Sequence, residues 1–86
     1  MHTVELLELA LAAVKRLGYR VRAEHLDGGQ GGLCEFGGRR WLFLDIAKAP
    51  IEQLHQVLEV LRGDARTAAL PLAPELAKLV KSRRAA

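Results

Sequence analysis

Apolar residues recur every three to four positions at the start of the chain. Val4, Leu6, Leu7, Ala10, Leu11, Ala13, Val14 and Leu17 fall on one broad side at 3.6 residues per turn, and Glu5, Glu8, Ala12, Lys15 and Arg16 on the other. This predicts a helix. Acids lie early and bases late, as the helix dipole favours. Thr3 is the expected N-cap, and Gly18 the expected first residue past the end.

The period then drops to two. In "YRVRAEHL", Tyr19, Val21 and Ala23 alternate with Arg20, Arg22 and Glu24, the pattern of a half-buried strand. "DGGQGG" breaks it. "LCEF" is a short strand with Cys34 and Phe36 on one side, and Gly37-Gly38 suits a tight hairpin turn. "RRWLFLDI" is apolar on both faces, with Trp41 and Phe43 on one and Leu42, Leu44 and Ile46 on the other. Such a strand is central or covered on both sides.

Pro50 opens a second helix at its first position. Ile51, Leu54, Leu58 and Leu61 form its inner stripe, widened by Val57 and Val60, and Gly63 ends it. "DARTAALPLAP" predicts a turn or short helix. Pro74 starts a last helix striped by Leu76, Leu79 and Val80, and residues 82–86 are expected to fray. The fold expected is α+β: an N-terminal helix, a three-stranded antiparallel meander, and two or three C-terminal helices packed on the sheet. Residues 1–86 are expected to form one domain.

Composition narrows the function classes. Half of the 86 residues are apolar, enough for a core. A domain this small buries only roughly 60% of its unfolded surface, so dimerisation is a ready source of further burial. One cysteine forms no internal disulfide, which fits a reducing compartment. Glu5 and Glu8 interrupt the first apolar run, so a signal peptide is not expected. No apolar run reaches the ~18 residues of a membrane span. A cytoplasmic protein is expected, with no membrane partner. The wealth of Leu, Ala and Arg and the absence of Asn fit a bacterial GC-rich genome or a hot habitat. Net charge is +3, a mild excess that permits a nucleic-acid partner without implying one.

Several constellations invite chemistry. The glycines of "GGQGG" lie between two strands with no Lys-Ser or Lys-Thr pair after them, so a flexible loop fits better than a phosphate cradle. Glu52, His55 and Glu59 share the polar edge of the second helix. Zinc needs three or four converging ligands, so a solvated edge is expected and no metal or cofactor. Cys34 is expected as a small buried hydrophobe, with His25 facing it across the hairpin. Arg20, Arg22, Arg39 and Arg40 are candidate phosphate contacts, with further bases at the C-terminus. The aromatics do not form the ribonucleoprotein motif that stacks bases.

From Leu17 to Leu61 the chain resembles the front of the ImmA/IrrE-type zinc metallopeptidases. The likeness lies in "LGYRV", a glycine-containing hairpin, the strand "RRWLFLD" and the helix "APIEQLHQVLEVL". The family's zinc motif is H-E-x-x-H, where this chain has "HQVLE". The resemblance places His55 at the first ligand position, Gln56 in place of the catalytic Glu, and Glu59 in place of the second His. The general base is missing, so the likeness implies a related scaffold without peptidase activity.

The expected function is therefore non-catalytic. If helices cover the Leu42 face of the third strand, Trp41 and Phe43 need another cover, which a second copy or another protein can supply. Trp41 and Phe43 are the expected anchors of a homodimer or protein–protein interface, with Phe36 and Tyr19 as neighbours. The alternatives are weak nucleic-acid binding through Arg20, Arg22, Arg39 and Arg40, and a metal-dependent enzyme remnant.

Overall fold

The computed structural model describes residues 2–26 and 31–82. The elements run α1 (Thr3–Arg16), β1 (Arg20–Glu24), β2 (Gly32–Phe36), β3 (Arg39–Asp45), α2 (Pro50–Gly63), a 3₁₀ turn (Ala65–Ala69) and α3 (Pro74–Lys81). The expected frayed tail lies largely outside the described residues, as does most of "DGGQGG".

Helix α1 begins one residue earlier than its Thr3 cap predicts. His2 is the N-cap, and its N–H donates to Glu5 Oε1 at 3.2 Å. At the other end Gly18 takes φ +97°, its N–H donates to the Lys15 carbonyl at 2.9 Å, and the Tyr19 N–H to the Val14 carbonyl at 3.3 Å. This is a Schellman cap. It turns the chain sharply and drops Tyr19 into the core beside Val14.

The sheet corrects the expected meander. Its order is β1-β3-β2: β3 is central, antiparallel to β2 and parallel to β1. Gly37 and Gly38, at φ +63° and +74°, make the tight β2–β3 hairpin that the glycine pair predicts. β1 and β2 are not neighbours; they flank β3 on its two sides. Backbone approaches closely where β2 begins: a Cβ on Gly31 would stand 2.8 Å from the Phe43 carbonyl oxygen. A meander would have made β2 central. The arrangement found instead gives the central place to the most apolar strand and pairs both of its edges.

Both long helices pack on one face of this sheet and on each other. The core joins Leu7, Ala10, Ala13 and Val14 of α1, Leu42 and Leu44 of β3, and Leu54, Val57, Leu58 and Leu61 of α2. Leu76 of α3 completes it. Val4, Ile46 and Ile51, expected to point inward, are exposed because they lie at element ends beyond the reach of the packed layers.

Two side chains satisfy helix ends. Thr67 Oγ1 donates a buried 2.7 Å bond to the Leu61 carbonyl near the end of α2. Arg62 reaches from α2 to the last turn of α3, where Nη2 donates to the Leu79 carbonyl at 2.7 Å and Nε to the Val80 carbonyl at 3.2 Å. Such carbonyls have no partner within a helix, and the guanidinium also meets the negative end of the helix dipole.

Candidate interaction surface

With the helices on one side, the other face of the sheet is left open. β1 contributes Arg20, Arg22 and Glu24 to it; β3 contributes Arg39, Trp41, Phe43 and Asp45; β2 contributes Gly32, Cys34 and Phe36. Strand alternation and register place these residues together.

Aromatic rings dominate its middle. Phe36 stacks on Trp41 with centroids 5.9 Å apart and planes 11° from parallel, and Trp41 stacks on Phe43 at 6.1 Å and 17°. The Arg20 guanidinium carbon lies 5.9 Å from the Trp41 ring centroid, within cation–π range. Trp41 and Phe43 are half-buried by these neighbours, whereas Phe36 is 61% exposed. Leu33, at 55%, is exposed on the opposite side of the same edge strand.

Three of the four expected anchors therefore meet, and Tyr19 does not join them. It is buried on the helix side, where its hydroxyl donates to Asp64 Oδ2 at 3.0 Å and accepts from Arg40 Nη1 at 3.3 Å. Arg40 alternates with Arg39 and likewise points to the helix side. Only Arg20, Arg22 and Arg39 of the candidate phosphate contacts share the open face.

The remaining candidates separate. Cys34 is exposed rather than buried, because it stands on the uncovered face of an edge strand. His25 cannot face it across a hairpin, since β3 lies between their strands. His55 and Glu59 lie along an open cleft between α2 and α3, and Glu59 pairs with Arg62 at 3.1 Å. Glu52 lies 4.0 Å from Lys48. Among the described residues no three His, Cys, Asp or Glu side chains converge as a metal site. Nor is any helix among them long and apolar enough to cross a membrane.

Two features lie outside the expected site, and the strand pattern signals only the first. Glu24 and Asp45, paired in register, put acids on the open face at the end away from Arg39. Asp64 and Arg66 form the second feature. The Asp64 side chain is 8% exposed; Oδ1 accepts from the Arg66 backbone N–H and from Nε, and Oδ2 from Nη2 at 2.7 Å. Those Arg66 bonds, helped by Tyr19, hold the Asp64 carboxyl well below the usual range against the opposing effect of burial. This cluster ties the start of β1 to the turn after α2.

The chain matches no protein-family model, no curated protein and no solved structure. The class defined by fold and surface is thus a small α+β domain with one helix-covered sheet face and one open aromatic face.

Proposed function

We propose that this chain is a non-catalytic protein-interaction domain that self-associates through the open face of its sheet. The observation that supports this most is the continuous Phe36–Trp41–Phe43 row, which neither long helix covers. Aromatic side chains carry much of the energy of protein interfaces because each covers a large area at little rotamer cost.

Magnitudes show which residues must take part. Covering the exposed part of Phe36 removes roughly 100 Å² of apolar surface, about 2.5 kcal/mol per copy. Association costs at least about 4 kcal/mol in lost translation and rotation. Two Phe36 rings alone barely offset that, so Trp41 and Phe43 must also be covered.

A nucleic-acid reading draws support from Arg20, Arg22 and Arg39 beside the same rings. Glu24 and Asp45 weigh against it, since both acids repel a phosphate backbone from that face. Glu24 also already holds Arg22 at 2.7 Å.

The test is absolute mass by light scattering at low and high salt, on wild type and Trp41→Ala. The expected result is a dimer that persists in high salt and is lost in the variant. A wild-type monomer throughout, or a Trp41→Ala dimer of unchanged strength, would reject the proposal. Oligonucleotide binding that collapses with added salt would favour the alternative.

A further inference from the structure

We propose, on the basis of the self-association reading, that the partner is a second copy docked end-for-end on the open face, with its strands antiparallel to those of the first. The charge pattern of that face carries the inference. Along β3 the order is Arg39, Trp41, Phe43, Asp45; along β1, running parallel, it is Arg20, Arg22, Glu24. Along β3 one end is therefore basic, the middle aromatic and the other end acidic, while Arg20 and Arg22 stand level with Trp41 and Phe43. Arg39 and Asp45 stand about 20 Å apart at strand rise.

The charges at the two ends are available to a partner. Arg20, Arg39 and Asp45 form no ion pair among the described residues; of the charged side chains on this face, Arg22 and Glu24 pair with each other. Two sheets packed face to face lie about 10 Å apart with strands roughly aligned. A two-fold axis running along β3 sets Arg39 over its own copy and Asp45 over its own, base on base and acid on acid, and brings β1 over β2 of the other copy. An axis across the strands turns one copy end-for-end. Arg39 then lies over Asp45 of the other copy at both ends while the aromatic middles meet, and Arg20 lies over Arg22, whose charge Glu24 already offsets. Like charges across an interface suppress the first arrangement, and opposite charges select the second.

The pattern also favours a second copy over a nucleic-acid strand. A phosphate backbone gains from the basic end and loses at the acidic one, whereas a reversed copy gains at both.

Charge reversal tests the orientation. One variant carries Arg39→Glu, and the other Asp45→Lys. Each alone is expected to self-associate at least tenfold more weakly than wild type. An equimolar mixture should recover a dimer containing one copy of each. Circular dichroism checks that both variants are folded. Because Asp45 Oδ1 also accepts the Ala47 N–H at 2.9 Å, Asp45→Asn, which keeps that acceptor, serves as the second partner if the lysine variant unfolds.

Wild-type strength in both reversed variants would overturn the orientation and leave self-association standing. So would a dimer of wild type with a chain carrying Arg39→Asp and Asp45→Arg that is stronger than either homodimer, since only the end-matched arrangement then sets opposite charges together at both ends. A mixture that stays monomeric while wild type dimerises overturns it too. A monomeric wild type removes the self-association reading, and the orientation with it.

Discussion

The phenol of Tyr19 donates a 3.0 Å hydrogen bond to Oδ2 of Asp64 across 45 residues of chain. It joins the residue just after α1 to the N-cap of the 3₁₀ turn. Tyr19→Phe removes the donor and keeps the ring, and is expected to cost about 1 kcal/mol. Asp64→Ala also removes the cap and the Arg66 bonds, and is expected to cost about 2 kcal/mol. The double variant should cost less than the two combined, as denaturant unfolding of all four proteins would measure. Strict additivity would mean that the bond contributes nothing.

Acid sensitivity follows from the same carboxylate. Its folded pKa is depressed, so the unfolded chain takes up the proton first as pH falls. The stability Asp64 supplies is present above the ordinary carboxylate range and is lost progressively below about pH 5. Melting of wild type against Asp64→Asn across that range should show the difference between them shrinking as pH falls. A constant difference would place the acid transition elsewhere.

Arg62, with a side chain 21% exposed, is expected to hold the end of α3. Arg62→Met keeps the aliphatic stem and loses every donor, at about 1–2 kcal/mol. Amide exchange should quicken in α3 more than in α1. Lysine should restore only part of the loss, because an ammonium cannot span several carbonyls as the planar guanidinium does.

Gly31 and Gly37 make opposite predictions. Alanine at Gly31 drives a methyl against the Phe43 carbonyl, and the strain is expected to cost about 1–3 kcal/mol. At Gly37 a side chain meets nothing within 4 Å, but φ is +63°. Asparagine tolerates that conformation and suits the first position of this hairpin turn, so Gly37→Asn should be close to neutral. Thermal melts of the two variants separate a packing role from a backbone one.

Periodicity made the helices, the three strands and the glycine turn legible. Proline at Pro50 and Pro74 marked two helix starts correctly. Strand order was also within reach. A β3 apolar on both faces asks for the centre, and a meander denies it that place. The default that consecutive strands pair obscured this conflict. The open face was half legible: alternation and the glycine hairpin put Trp41, Phe43 and Phe36 together, but the location of Arg20 and Arg22 depended on whether β1 lay beside β2 or β3. The Tyr19–Asp64–Arg66 cluster was not legible, because nothing local links a strand start to a turn so far along the chain.

Central placement of β3 also sets an order of events during folding. The β2–β3 hairpin closes through two residues and needs no distant segment, so it can form within microseconds. The parallel partner is different: Arg20 pairs with Trp41 about twenty residues away, and nothing on β2 substitutes for that edge. β1 must therefore wait, unpaired, until β3 is in place. Alanine at Gly38 should slow folding, whereas Val21→Ala should chiefly hasten unfolding.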